Sequence, residues 1–541
     1  MDSYTEGIRL FTGQNNSPEL LADLLRNRSR TGISLRFYDN ARSDALRSSS
    51  LLTSTSDRAA ELNTKALFRA ATAAYKLDDY QGSKSILSQL QEMAPNDNAA
   101  AALGKKIRLR LREQAHGTYN FDQLRKSAES SGHVDVASFL LRTEAHTDPL
   151  NGMGLFATQD VKAGDIIFCE KAFSTTPPQD GQTQPAHLMS MSNRQLAICG
   201  TYDVALWKNV VERATRNKSI AHRLNGLAET VHLAYTAPSV GAEDDVFLMY
   251  KRVQRSSHAI THTKACAEEA NVNMKQGLFV HASQINHSCM PNTARADIGD
   301  FLVVRTSRAV RAGEQFFSCD IHLFDDYEQT KKFISRSLNR HCECAICVAE
   351  EQTSPQQRVL RQEALELVAT YCKASSSFNN HTSKAELDSA LSEGVQLDNK
   401  LSATYDDNTF QGVMPRRGLS KLYSALADIH LKLVSSGQRP KPKDLTKALN
   451  FTMRAIQAQG CKIAVDPSGN VSFANLHGVQ NFRMCKLLAE CVLIAAAHAC
   501  YKTAKQFMGY AKEIYLLEHT ETADLLKEFA WLENTPVIMV L

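Results

Sequence analysis

No run of the 541-residue chain comes near 18 consecutive apolar residues, so no membrane-spanning helix is expected. The opening MDSYTEGIRLFTGQNNSPELL is acidic and polar and lacks the apolar stretch of a signal peptide. An excess of one charge is also missing: 62 Lys and Arg against 58 Asp and Glu leave a formal net charge of +4. That field is too weak to argue for nucleic acid as a partner, and none is expected. Low-complexity tracts are absent apart from short serine runs near residues 49 and 376. With 43% hydrophobic and 22% charged residues, the composition is that of a soluble globular protein, expected inside the cell, in cytoplasm, nucleus or both. Disulfides are disfavoured there, so the thirteen cysteines read as free thiols or metal ligands.

The length implies about two to four domains. The pattern divides the chain into a helical block over 1–145, a β-rich block over 146–350 and a second helical block over 351–541, an α+β protein overall. In the first block, Lys65–Asp97 reads as two amphipathic helices joined at KLDDY and closed by Pro95. Leu67, Ala70, Ala71 and Tyr75 share one face, and Ile86, Leu87 and Leu90 share another. The pair resembles a tetratricopeptide repeat of about 34 residues, with a degraded copy upstream, and such repeats dock proteins. The middle block twice shows strand, glycine turn, strand: GLFAT-KAGD-DIIFCEKAF and FLVVRT-RAGE-QFFSCDI. A helical insertion is expected over about 185–270, most clearly in MSNRQLAICGTYDVALWKNVVERA. From about Arg358 onward helices are expected throughout.

Two short stretches carry chemistry. HCECAICV places Cys342, Cys344 and Cys347 in a C-x-C-x2-C cluster. Alternating core positions on one strand would explain the first two but not the third. Tetrahedral zinc takes four ligands, and compact thiol clusters suit it. NHSCMPN, residues 286–292, supplies Cys289 as the fourth ligand, with His287 and His341 as competitors.

Taken together, these elements resemble the SET-domain methyltransferases. The elements are the GxG run Gly152-Met153-Gly154, INHSCMPNT, VRAGEQFFSCD and HCECAIC, in that order. The match is nearest the SET and MYND class and the fungal tetratricopeptide-SET proteins. Between Phe173 and Gln284 only Cys199 and Cys266 occur, so no MYND finger is present. The resemblance implies a β-rich SET fold with a post-SET zinc segment at 342–347, flanked by helical-repeat domains. It also implies S-adenosylmethionine as methyl donor and a lysine amine as acceptor. Gly152, Met153, Gly154, Asn286 and His287 would then lie against the cofactor, with Asn273 as a further contact and Asn271 its competitor.

Two departures bear on catalysis. The family's strand ends in a tyrosine beside the transferring methyl group, and counting from Gly313-Glu314 that position is Asp320. The aromatic-rich stretch expected before the zinc cysteines is SLNRHC here; the nearest substitute is Tyr327. Three functions therefore stay open: a protein-lysine methyltransferase, a SET fold turned to small-molecule chemistry with Asp320 and His322 as acid or base, and a scaffold that binds proteins through its helical flanks. The sequence leaves the oligomeric state undetermined.

Overall fold

The computed structural model describes residues 1–11, 18–52, 56–148, 152–176, 188–192, 195–199, 201–227, 253, 256–260, 275–319, 323–338, 341–379, 381–412, 414–435, 442–476, 478, 482–522 and 525–533. The chain forms two compact units, each assembled from separate segments.

The first unit comprises Met1–Leu141, Phe168–Gln284 and Asp297–Leu302. It opens with α1 (Asp2–Phe11), α2 (Pro18–Ser34), α3 (Tyr38–Leu51), α4 (Asp57–Lys76), α5 (Tyr80–Met93), α6 (Asn98–His116) and α7 (Phe121–Ser131). Side-chain caps set these helix starts: Ser56 accepts from Ala59 N, Asp79 from Gly82 N and Asp97 from Ala100 N, each filling an orphan donor of a first turn. The expected pair is α4 and α5. Leu67, Ala71, Tyr75, Tyr80, Leu87 and Leu90 close over one another, with Tyr75 and Tyr80 edge to face at 5.3 Å.

These helices do not stand apart from the β-rich block. Leu77, at the end of α4, shares a core with Phe173, Leu206, Val210, Ile220 and Leu278. Asn217, 1% exposed, accepts from Tyr38 N at 2.7 Å and donates to Arg36 O at 3.0 Å. Val134 N donates to the carboxylate of buried Asp300 at 2.9 Å, and Lys171 pairs with the same carboxylate at 2.6 Å. These contacts link residues of the block expected over 1–145 to residues of the block expected over 146–350. Tertiary burial of Leu77 and Asn217 joins the first block to the second, and local periodicity carries no sign of it.

The strands are β1 (Thr143–Asp148), β2 (Gly152–Ala157), β3 (Ile166–Lys171), β4 (Ser174–Thr175), β5 (Leu188–Ser192), β6 (Gln195–Cys199), β7 (Ser257–Ile260), β8 (Lys275–Leu278), β9 (Asn286–His287), β10 (Thr293–Ile298), β11 (Phe301–Thr306), β12 (Phe317–Ser318), β13 (Cys461–Val465) and β14 (Val471–Asn475). They form small sheets of order β1-β2, β10-β11-β3, β12-β9, β4-β8-β7, β5-β6 and β13-β14. The insertion is not helical throughout. Leu188–Ser192 and Gln195–Cys199 pair antiparallel, β5 with β6, and only then comes α8 (Thr201–Arg216). The alternation Met189, Met191 and Leu196, Ile198 is a strand signal that outweighs helical spacing.

The second unit comprises Arg142–Ile167, Ile285–Ala296 and Val303–Leu541. After the strands come α10 (Tyr327–Leu338), α11 (Ala345–Gln352), α12 (Pro355–Ser375), α13 (Lys384–Ser402), α14 (Leu419–Ser435), α15 (Pro442–Gln457), α16 (Phe482–Ala497) and α17 (Tyr501–His519); α9 (Lys218–Ala221) belongs to the first unit. One apolar core runs through α12 to α17, with Leu422, Leu426, Met484, Leu488, Val492 and Phe507 wholly enclosed. Helices dominate this block as expected, but β13 and β14 interrupt them. The turn between those strands is Asp466–Asn470, where Asp466 accepts from Ser468 N and Asn470 N.

Candidate active site

The candidate site lies in the second unit. β1 and β2 form an antiparallel hairpin in which Asp148 faces Gly152 and His146 faces Gly154. The two glycines serve different ends. Gly152 has φ +72° and open space beside it, so the backbone conformation is what excludes a side chain. Gly154 is buried, and space decides there: a Cβ would sit 2.2 Å from Gln315 Nε2 and 2.9 Å from Asn286 Nδ2.

Residues 313–318 run past this hairpin. Gly313 N donates to Ala157 O and Phe316 N to Leu155 O, both at 2.8 Å. The chain then forms β12, which pairs in parallel with β9, Phe317 opposite Asn286 and Ser318 opposite His287. Asn286 is 5% exposed, and its Nδ2 donates to Met153 O at 3.1 Å. Gln315 is 8% exposed, and its Nε2 is enclosed without a partner among the described residues. Gly152, Met153, Gly154, Asn286 and His287 are thus brought together. Asn273 and Asp320 lie outside the described residues.

Two residues of this arrangement escaped the sequence reading. Asn292, 1% exposed, accepts from Phe317 N at 2.7 Å and donates to Gln315 O at 2.8 Å, clamping β12 beside the NHSC turn. Its place as the last residue of NHSCMPN was the available signal. Gln315 reads as one polar residue of a strand and gives no signal of its own.

The sulfurs of Cys289, Cys342, Cys344 and Cys347 lie within 4.8 Å of one another, and Cys289 and Cys347 are 3.7 Å apart. With metal–sulfur bonds of about 2.3 Å, a tetrahedral site needs sulfurs about 3.8 Å apart. The four thiols therefore fit a closed tetrahedral metal site. Thiol hydrogen bonds, that from Cys289 first, pull Cys342 far below the ordinary thiol range. Those same contacts push Cys289 up, so without a cation the cluster cannot ionise fully. His341 is exposed and not of this set, whereas His287 Nε2 lies 3.6 Å from Cys289 Sγ.

Tyr327, the expected stand-in for the missing aromatics, opens α10 and packs with Cys289, Cys347, Ile334 and Ile346. Its hydroxyl donates to Glu351 at 3.1 Å, and burial pushes its ionisation up. The phenol is committed to the thiol cluster, with Glu351 as its partner.

The SET domain family model matches residues 152–319. The chain carries a SET domain and is related to the SET-domain methyltransferases. A methyltransferase of Gibberella zeae is 29% identical over 65% of this chain and 50% of its own length. The histone-lysine N-methyltransferase SMYD3 of Mus musculus is 28% identical over 20% of this chain and 24% of its own length. The chain thus spans about half of the first relative and about a quarter of the second. A crystal structure of the SET domain of LSMT bound to lysine and AdoHcy aligns over 76% of this chain and 98% of its own, at 13% identity and a TM-score of 0.20; at that score nothing follows for this chain. Among the described residues no helix is long and apolar enough to cross a membrane.

Proposed function

We propose that the protein is an S-adenosylmethionine-dependent methyltransferase acting on a protein lysine, with zinc held by Cys289, Cys342, Cys344 and Cys347. The observation that carries the reading is the cradle at Gly154, where the missing Cβ, the Asn286 carboxamide and the unpartnered Gln315 amide converge. A buried donor without a partner costs about 1–3 kcal/mol, which favours a site that recruits an acceptor. When bound, the cofactor supplies an electrophilic methyl group on sulfonium. The protein's share is to orient the two reactants and exclude water. Gly154 leaves room, Asn286 ties the GxG backbone to β9, and the tetratricopeptide-like helices α4 and α5 are suited to holding a protein partner.

Calorimetric titration with S-adenosylmethionine tests the reading. The natural protein is expected to bind, and Gly154→Ala to bind about tenfold more weakly or worse, a loss of ~1.4 kcal/mol or more. Failure of the natural protein to bind sinks the proposal. Gly154→Ala binding as tightly as the natural protein removes the cradle from it.

One sequence feature favours a second reading, a SET fold with impaired or altered chemistry. Asp320 stands where a neutral phenol is expected. A carboxylate of ordinary pKa, about 3.9, is ionised at neutral pH and stabilises a lysine in its ammonium form, whose pKa is about 10.4. An ammonium has no lone pair with which to attack. Slow lysine methylation is therefore expected despite cofactor binding, with Asp320→Tyr raising the rate by about tenfold or more toward the range of acid–base effects. Ordinary turnover by the natural protein, abolished in Asp320→Ala, would make Asp320 a working catalytic group and end this second reading.

A further inference from the structure

We infer that Arg417 is a positioning residue of the thiol cluster, a guanidinium built into the second unit to neutralise the charge that four zinc-bound thiolates carry. The inference rests on the zinc reading above and extends it to a residue about seventy positions beyond the last cysteine, in the connection that leads into α14.

Four thiolates around a divalent cation leave a net charge of −2, and burying that charge without a partner is costly. The cluster is largely enclosed: Cys289 and Cys347 are each 2% exposed. The apolar residues packed on it are Tyr327, Ile334, Ile346, Met290, Leu323 and Met414. Met414 brings the connection that contains Arg417 to this cluster. From there Arg417 Nη1 donates to Thr330 Oγ1 at 2.7 Å and to Phe324 O at 3.2 Å, at the start of α10. Two residues of α10, Tyr327 and Ile334, pack directly on the thiols. The Arg417 carbonyl accepts from the Tyr405 hydroxyl at 2.7 Å, which fixes the backbone as well.

The other end of the guanidinium is the informative one. Nη2 is enclosed and has no hydrogen-bond partner among the described residues. Among the described residues no carboxylate forms an ion pair with Arg417, and the neighbouring buried acid Glu350 is paired with Arg361. Burial works against the charge of Arg417, and the sulfurs of Cys289 and Cys347 are first among the neighbours that favour it. Neutral thiols offer a guanidinium little. Metal loading turns them into anions, and the buried guanidinium then has opposite charge nearby. Arginine suits this place because it stays charged when buried, while one arm of its fork is held by Thr330 and Phe324 beside α10.

The test is zinc affinity, measured by competition with a chromophoric chelator on the full chain. Outer partners of metal ligands are typically worth about 10–100-fold in metal affinity. Arg417→Gln is expected to weaken zinc binding by about that factor while Arg417→Lys recovers most of it. Gln binding zinc as tightly as the natural protein overturns the inference, as does a Lys variant no better than Gln, since charge would then be irrelevant. Should Arg417→Gln fail to fold, the Lys variant decides alone through cobalt substitution. Its zinc affinity is expected within a few-fold of the natural protein's with the thiolate-to-cobalt charge-transfer band unmoved, and a tenfold or larger loss of affinity or a displaced band overturns the inference. A natural protein that binds no zinc defeats the metal reading itself, a result distinct from all of these.

Discussion

Removing zinc is expected to lower the first melting transition by on the order of 10 °C and to abolish S-adenosylmethionine binding at once. The reasoning starts from the free energy. Structural zinc sites in small peptides bind with apparent free energies of about 10–16 kcal/mol, which become folding free energy where no site exists in the unfolded chain. Much of unit two has its own core over α12 to α17 and does not depend on metal. If only about 4 kcal/mol reaches the cooperative transition, at about 2–4 °C per kcal/mol for a domain of this size, the shift is on the order of 10 °C. The coupling to cofactor is a matter of chain length. Cys289 lies two residues after His287, whose strand β9 also carries Asn286, the residue tied to Met153 O. Once Cys289 is released, the turn that positions β9 loses its anchor. Cys289→Ser is expected to behave as the chelated protein does. Metal analysis, calorimetry and cofactor titration on the same samples check this. A zinc stoichiometry near zero in the natural protein, or a chelated protein that melts and binds unchanged, sinks it.

The ease with which this site was read contrasts with the rest. Cys342, Cys344 and Cys347 are legible because three thiols within six residues have no cheaper explanation, and Cys289 because it stands in a turn rich in polar residues. Gly154 is legible as a glycine in a GxG run, but its reason, the approach of Gln315 and Asn286, is nonlocal. Asn292 reads as an ordinary turn residue, and only the fold shows it holding Phe317 N and Gln315 O. The hairpin β13-β14 was open to reading, since Val471-Ser-Phe-Ala-Asn475 alternates after an Asp-Pro-Ser-Gly-Asn turn. The helices on either side have far stronger periodicity and mask it. The helix that follows β6 masks the β5-β6 pair in the same way. The grouping of the N-terminal helices with the insertion could not be read, because a leucine at the end of a helix looks the same whether it meets solvent or Phe173.

That grouping gives the second large effect. Deleting residues 1–115 would remove a detachable docking module if the chain were three domains in succession, and the remainder would stay folded. The contacts of the first unit lead to the opposite expectation: the truncated chain aggregates or shows no cooperative melting of that unit. The deletion strips Leu77 from the core formed with Phe173, Leu206 and Val210, and one fully buried leucine is worth about 1.5–3 kcal/mol in transfer alone. It also removes Tyr38 N and Arg36 O from the Asn217 side chain, and Glu113 from Ala137 N. Each buried polar group left unpaired costs about 1–3 kcal/mol, so together these losses rival the whole stability of an ordinary domain, about 5–15 kcal/mol. A point variant isolates the same contact without removing any helix. Asn217→Ala removes two part-buried hydrogen bonds within unit one and is expected to cost about 1–3 kcal/mol in urea unfolding, at ~0.5–1.5 kcal/mol each. Circular dichroism and urea titration of both proteins decide the matter. A truncated protein with native helicity and a sharp transition, together with an Asn217→Ala protein as stable as the parent, would show that the N-terminal helices are carried by the insertion without supporting it.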